Sequence, residues 1–534
     1  MAKTNRIFAS LDDYLNPSAG VNRVGRNMAN YFFFKALLKY GTFDEYHFFL
    51  ANRAHRKMFE QHHEQFFKKA GISKKIKLFD RVDLPDALLQ NDYTVFHQSD
   101  HVTHFGNLCR LRNRVGASFP VTAFIHSISY QTYMGRYLEL TQGGVTKNDA
   151  ILCSSNCGKK VIENCFDSLT TGLNVDKLKA RLEVVPLGID EQAYTKDIDA
   201  VRKQLGFAGD EVVALCFGRF SDFDKMDLFP LLQAFRRILN PAKKWRLILA
   251  GAVHDAEYYQ ILELWIKALG LSQNVAIVID PSDEKKTDLY HAADFFVSVA
   301  DNPQETFGLT LLESMSAATP MVVSEFNGYR ELCSDEAGIR VPTIWTGFEH
   351  MDIVEPIMDQ RTFHKMAAQC VVVDTGRLAT ALKRMFCNKN LRKQKGAAAK
   401  QRFENMYSHK VIIKQLESLW DELKSDFKVQ KTATDPLAIK MFSSFSHYVT
   451  RQISSDELVQ TTAFAKQLLG SNANYPVLSG MSDIIDSEHV KKAMKAAHSP
   501  IKVSDMWNTE SLKWRQKYLI MWMLKHDLLE ICEH

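Results

Sequence analysis

Short apolar runs rich in β-branched and aromatic residues alternate with amphipathic helical stretches from the amino terminus to about residue 340. Each switch between a two-residue and a 3.6-residue period marks a strand giving way to a helix. A long alternation of this kind builds parallel sheets covered by helices. The fold class is therefore α/β. Strands are expected at Arg6–Ser10, Tyr46–Leu50, Ile76–Phe79, Thr94–His97, Val121–Ile125, Ala150–Cys153 and Leu182–Val185. Pro186, Leu187 and Gly188 form a breaker cluster suited to a linker. A second series is expected at Val212–Phe217, Arg246–Ala250, Val275–Ile279, Phe295–Val299 and Met321–Val323. Two doubly wound domains facing a cleft follow, with ligands expected outside the carboxyl ends of strands where strand order reverses.

From Asn388 to Lys424 the chain reads as helices, and Ile412, Ile413, Leu416, Leu419, Trp420 and Leu423 share one helical stripe. That helix is expected to close the second domain. Gln430 to Asp435 reads as a polar linker, and the remainder as mainly helical without strand alternation. The expected boundaries are 1–187, 188–428 and an appended helical region at 429–534.

Composition narrows the function classes. With 46% hydrophobic and 24% charged residues, the chain is an ordinary globular protein. Its 67 Lys and Arg against 62 Asp and Glu give +5, too little for a nucleic-acid coat. The nine cysteines are odd in number and form no CxxC pair, which predicts reduced thiols and a cytoplasmic setting. Cys153, Cys157 and Cys165 lie close together, but no second cluster completes four metal ligands, so buried thiols are expected. The amino terminus lacks a signal-peptide profile, and no run of about 18 apolar residues occurs. Peripheral attachment to a membrane stays open.

Chemistry concentrates in two segments. The first, Asp301 to Met315, follows a strand and carries Pro303, Glu305, Gly308 and Glu313. A helix starting near Leu309 would aim unpaired backbone N–H groups and its positive dipole end at the cleft, where a phosphate is welcome. Glu305 and Glu313, about 12 Å apart along a helix axis, would stand on either side as acceptors for hydroxyl groups. An acidic helix start with one solvated Glu is the plainer alternative. The second segment runs from the strand at Val212 into Gly218, Arg219 and Lys225. Facing the same cleft, Arg219 and Lys225 would hold a diphosphate, one as a fork and one as a point charge; otherwise they are surface charges.

Together these segments resemble the retaining GT-B glycosyltransferases of family 4. The resemblance rests on GRFSDFDK at 218–225, ETFGLTLLE at 305–313, SEFNGYRE at 324–331 and VVPLGID at 184–190, and covers about residues 5–425. More loosely, Pro17 to Gly20 looks like the family's glycine loop, and Phe124 to Ser127 resembles its histidine-bearing strand end. One departure stands out: Lys225 is followed by Met226, where the family commonly has glycine.

The resemblance implies that Arg219 and Lys225 neutralise the diphosphate of a nucleotide sugar, helped by Gly218 and the N–H groups near Phe307, Gly308 and Leu309. It implies that Glu313 accepts from the ribose hydroxyls, Glu305 supports the transferred sugar, His126 lines the sugar site and Gly20 admits the phosphates. It further implies a hexosyl unit, UDP as first choice of carrier, no cofactor, no metal, and an acceptor-side first domain. The acceptor is an unidentified glycan, lipid or protein. Asp222 and Asp224 do spell the acidic triplet by which another glycosyltransferase fold holds Mn²⁺ or Mg²⁺, but their place inside a cationic loop argues against it. A sugar-nucleotide phosphorylase or synthase would use the same donor chemistry. From a different class, a catalytically silent membrane- or partner-binding module on this scaffold is the alternative.

Weaker signals remain. His97, Asp100, His101 and His104 end a first-domain strand; hydrogen bonding to an acceptor or a solvated loop is favoured over a metal, with Asp100 and His101 as acceptor-side candidates. Basic residues interleave with Met58, Phe59, Phe66 and Phe67 across 53–77, and with Trp507, Trp514, Tyr518 and Trp522 across 491–525. Each is a candidate surface for an anionic membrane or an amphipathic element packed inward.

Overall fold

The computed structural model describes residues 5–15, 25–192, 194, 196–347, 349–432, 434–471, 475–478, 480–482, 484–506 and 513–532. By its contacts the chain divides into a large unit (Met1–Phe49, His62–Phe79, Asp83–Thr434) and a small one (Leu50–Gln61, Asp80–Val82, Asp435–His534).

The large unit holds the two expected sheets. The first contains β1 (Ile7–Ser10), β2 (Glu45–Leu50), β3 (Ile76–Asp80), β4 (Val95–Gln98), β5 (Val121–Phe124), β6 (Ala150–Cys153) and β7 (Arg181–Val184) in the order β3-β2-β1-β4-β5-β6-β7. The second contains β8 (Val212–Phe217), β9 (Trp245–Gly251), β10 (Val275–Ile279), β11 (Phe295–Ser298), β12 (Met321–Ser324) and β13 (Gly338–Val341) in the order β10-β9-β8-β11-β12-β13. In each sheet a central strand pairs in parallel with strands on both sides, β1 with β2 and β4, β8 with β9 and β11. The strand order therefore reverses beside β1 and beside β8, and the loops after β1, β4, β8 and β11 surround the two switch points.

Both faces of the second sheet are covered. Along β9, Leu247 and Leu249 enter one buried cluster and Ile248 and Ala250 enter the other, the alternation that a two-sided strand requires. The strand β13 escapes the sequence pattern because Gly338 and Arg340 interrupt its four residues.

The helix His409–Ser425 does not close the second domain as its stripe suggested. It returns to the first sheet, where Trp420 is fully buried and donates from Nε1 to Thr122 Oγ1 at 3.0 Å. Its indole lies 5.7 Å from the Phe8 ring and 5.6 Å from His97. Glu417 accepts from the backbone N–H of Thr42 at 2.7 Å. A helical stripe identifies a buried face but not the surface that buries it.

In the large unit a two-stranded antiparallel pair, β14 (Thr343–Ile344) with β15 (Val372–Val373), follows the second sheet. The carboxyl-terminal region is mainly helical, as expected, with strands the sequence did not reveal. It carries a three-stranded antiparallel sheet, β16 (Leu458–Thr461) between β17 (Ile501–Lys502) and β18 (Leu529–Ile531). Strands of two to four residues are too short for alternation to show in sequence. Val490, Met494, Ile520, Trp522 and Met523 build this region's own core, so Trp522 is an internal anchor; Trp507 lies outside the described residues. Across 53–77, Phe59 and Phe67 are also buried, whereas Met58 is 43% exposed. All nine cysteines are free thiols. Among the described residues no helix is long and apolar enough to cross a membrane, and no His, Cys, Asp and Glu cluster has metal-ligand spacing.

Candidate active site

Two loops of the second sheet are stitched together before they meet any ligand. The loop after β8 receives a hydrogen bond from Asn302 Nδ2 at Phe223 O, 2.5 Å, and gives one from Asp227 N to Asp301 Oδ2, 3.1 Å. Asp301 is buried, and that burial holds its carboxyl well above the usual range. The loop after β11 ends at Gly308, whose φ of +109° leads into the helix Leu309–Ser316. A Cβ there would come within 2.4 Å of the Tyr329 ring, so glycine is required by both backbone and space.

This stitching brings Lys225 Nζ to 2.6 Å from Glu305 Oε2, with the side chains 10% and 17% exposed. Burial alone would push Lys225 down and Glu305 up. Each outweighs it for the other, so the ammonium sits above its ordinary range and the carboxylate below. Arg219 Nη2 lies 3.2 Å from Asp224 O and 3.5 Å from Asp224 Oδ2. Asp224 also meets His254 at 3.2 Å, and Asp222 meets Lys365 at 2.9 Å. Both acids of the triplet thus have a cation beside them, Asp224 the Arg219 guanidinium and Asp222 the Lys365 ammonium.

The first sheet contributes His126, just beyond β5. Its Nε2 lies 2.8 Å from Ser99 O and 3.0 Å from Asn30 Oδ1, two acceptors, so Nε2 carries the proton and Nδ1 is left as an acceptor. Burial, with Arg26 adding to it, pushes this histidine down to about 4. It is neutral at physiological pH.

A cleft of about 530 Å³ gathers these groups: Arg26, His126 and Tyr130 on one side, Arg219, Lys225, Glu305 and the run Thr306–Thr310 on the other. Phe217, Gly218 and Arg219 also border an adjoining hollow of about 410 Å³, which contains Glu313. There Glu313 is ion-paired with Lys286. The expected residues Gly218, Arg219, Lys225, Glu305, Phe307, Gly308, Leu309, Glu313 and His126 therefore come together in one continuous depression. Gly20 lies outside the described residues.

Asp100 and His101 are placed differently. Neither borders the cleft or the hollow. Asp100 accepts from the backbone N–H groups of Val102 and Thr103 and from Thr103 Oγ1 at 2.7–2.9 Å, an arrangement that shapes its own turn. Burial raises its carboxyl, and those hydrogen bonds overcome the effect and lower it. His101 is buried, shares a 2.9 Å hydrogen bond with Tyr137 OH, and is pushed down to about 4 by burial. A polar loop next to a strand end reads the same whether it points at a ligand or folds onto itself.

The sequence did not single out Lys286, nor the bridges that join the two walls. Tyr130 OH donates to Gln304 Oε1 at 3.4 Å, His364 Nε2 donates to Ser129 O at 3.1 Å, and Ser155 Oγ donates to Thr306 O at 2.9 Å. Glu331, inside the 324–331 motif, accepts from Asn156 N and Cys157 N, both at 2.8 Å. It places a carboxylate on the amino end of the helix Asn156–Leu173. Partners more than 150 positions apart leave no local signal.

Comparisons with known proteins fit this geometry. Residues 197–347 match the family described as Glycosyl transferases group 1. Mannosylfructose-phosphate synthase of Agrobacterium fabrum is 31% identical over 159 residues, 28% of this chain and 34% of that protein. Alpha-monoglucosyldiacylglycerol synthase of Streptococcus pneumoniae is 29% identical over 207 residues, 37% of this chain and 42% of that protein. The match thus spans about a third to two-fifths of these relatives' length. Among solved structures, Anabaena HepE in complex with UDP superposes with a TM-score of 0.53 at 15% identity, covering 78% of this chain and all of that one. Sucrose-phosphate synthase from Thermosynechococcus elongatus superposes with a TM-score of 0.52 at 17% identity, covering 79% of this chain and 99% of that one. The chain has the GT-B fold, two Rossmann-like domains with parallel sheets, extended at its carboxyl end. The residues that match the group 1 model, 197–347, include all six strands of its second sheet.

Proposed function

We propose that the chain is a glycosyltransferase of the family 4 type. It moves a hexosyl unit from a nucleotide-diphosphate sugar, with UDP as first choice, to a hydroxyl acceptor with retention of anomeric configuration. The observation that carries this reading is the convergence of Arg219, Lys225, Glu305 and the amino end of the helix Leu309–Ser316 on one cleft. Breaking a sugar–phosphate bond leaves charge on the departing diphosphate, and fixed positive groups at that point stabilise the transition state most. Arg219 and Lys225 are two such groups, and the backbone N–H groups of Phe307 to Leu309 form a third.

In this reading a donor diphosphate competes with Glu305 for Lys225, and Glu305 becomes available to the sugar as positive charge develops at its anomeric carbon. Glu313, now balanced by Lys286, accepts from the ribose. His126 offers Nδ1 to a sugar hydroxyl, its proton parked on the opposite nitrogen. The chemistry needs no metal, because cationic side chains occupy the place where one would neutralise phosphate, and Asp222 and Asp224 already have Lys365 and Arg219 beside them. Cytoplasmic residence belongs to the same proposal, with a glycan, lipid or protein as the acceptor class.

Glu305→Ala and Lys225→Ala test it. In a screen of nucleotide sugars, with and without EDTA, the intact protein should hydrolyse or transfer from at least one donor in both conditions. Each variant should lose that activity. Full activity in both variants contradicts the site; loss of activity in EDTA contradicts the metal-free part.

A further inference from the structure

The small unit displays a feature that the cleft does not use. Every residue from Pro436 to Gln452 is exposed, although the stretch carries Leu437, Ile439, Met441, Phe442, Phe445, Tyr448 and Val449. Ile439, Phe442 and Tyr448 are 76%, 91% and 74% exposed. Single exposed apolar residues are commonplace, but seven large ones crowded into one short stretch mark a surface that meets something.

The backbone supports display. A four-residue helix at Met441–Ser444 and a 3₁₀ turn at Ser446–Tyr448 hold the segment in compact local turns. Its backbone bonds, such as Phe445 N to Met441 O and Tyr448 N to Phe445 O, are local. The charge is one-sided as well. From Lys428 to Ser455 the sequence holds Lys428, Lys431, Lys440 and Arg451 against a single acid, Asp435. Arg451 is held by Glu457 at 2.9 Å, which leaves Lys440 as the cation inside the apolar run.

We propose that residues 436–451 form a membrane-inserting segment that docks the protein on an anionic bilayer. Bulky aliphatic and aromatic side chains would enter the acyl boundary while Lys440 meets lipid phosphate. A bilayer fits these turns better than a protein groove does, because it receives apolar side chains without needing a continuous helical stripe. The segment differs in degree from 53–77 and 491–525, where Phe59, Phe67 and Trp522 are buried and Tyr518 is 40% exposed. The inference stands apart from the chemistry of the cleft.

The test uses the full chain, phosphatidylcholine vesicles containing roughly a third phosphatidylserine, and a variant carrying Ile439→Ser, Met441→Ser and Phe442→Ser. Because these side chains are exposed, the variant should keep the fold and thermal midpoint of the parent. The intact protein should sediment with the vesicles, and the variant should partition at least about tenfold more weakly. Lys440→Glu should weaken binding to these vesicles severalfold while leaving binding to pure phosphatidylcholine unchanged. Hydrogen exchange across 436–451 should slow only when vesicles are present. Equal partition of parent and triple variant overturns the proposal. So does protection of the segment without lipid, whether from the rest of the chain or from concentration-dependent self-association that the triple variant abolishes.

Discussion

The two sheets of the large unit use charge in opposite ways. The second builds its ligand end from ion pairs: Lys225 with Glu305, Lys286 with Glu313, Arg219 beside Asp224. The first relies on neutral, buried histidines: His63, His97, His101 and His126, pushed down to about 4, 3, 4 and 4 by burial. An ion pair can exchange one partner for a ligand's charge, which suits a wall that receives and releases a diphosphate. A neutral imidazole fixed by its hydrogen-bond partners keeps one tautomer, as His126 does where it borders the cleft.

The largest effect that would sharpen this contrast is on catalysis. If the cleft works as proposed, Lys225→Ala should lower kcat/KM by about 10²–10³-fold, the range for removing one charge-stabilising group, and should cost stability as Glu305 is left buried without its partner. Steady-state kinetics with a responsive donor measures the first part, and urea unfolding the second.

Next comes Trp420→Ala. It should cost about 3–5 kcal/mol, the usual price of deleting a fully buried large aromatic. Hydrogen exchange should locate the loss in β1, β4 and β5 rather than in β8–β13. Loss centred on the second sheet would return the helix His409–Ser425 to the domain that the sequence suggested.

The histidines predict an acid response of known sign. Their folded pKa values lie below the unfolded 6.5, so between about pH 6.5 and 4 the unfolded chain binds more protons and stability falls as pH falls. Lowerings of this size are worth on the order of a few kcal/mol per histidine. Asp12, buried and pushed up from 3.8 to about 6, acts in the opposite sense, its contribution falling as pH rises through that window. Four histidines outweigh one carboxyl, so exchange protection of the first sheet should drop on acidification before that of the second. Simultaneous loss would erase the contrast.

The smallest expected change is at the bridge between the walls. Glu331→Gln removes the charge facing the helix Asn156–Leu173 and turns one of the two oxygens that accept from Asn156 N and Cys157 N into a donor, and should cost about 1–2 kcal/mol, read as a shift in thermal midpoint.

What the sequence revealed follows the same division. The second wall was legible because its groups are crowded into 218–225 and 305–313, each placed by one strand–loop–helix unit. The two domains were legible because parallel strands buried on both faces make dense apolar runs. His126 was found only by resemblance to a family. Lys286, the Tyr130–Gln304 bridge and the destination of Trp420 depend on tertiary approach, which no periodicity encodes. Asp100 and His101 show the converse: hydrogen-bonding residues beside a strand end can be spent on their own turn or on Tyr137.

Calorimetric titration of UDP into the intact protein and into the Arg219→Ala, Lys225→Ala double variant addresses the diphosphate seat most directly. The intact protein should bind, and the double variant should bind at least about a hundredfold more weakly, since two charge-assisted contacts are removed. Equal affinity in both proteins would contradict the placement of a diphosphate between these side chains.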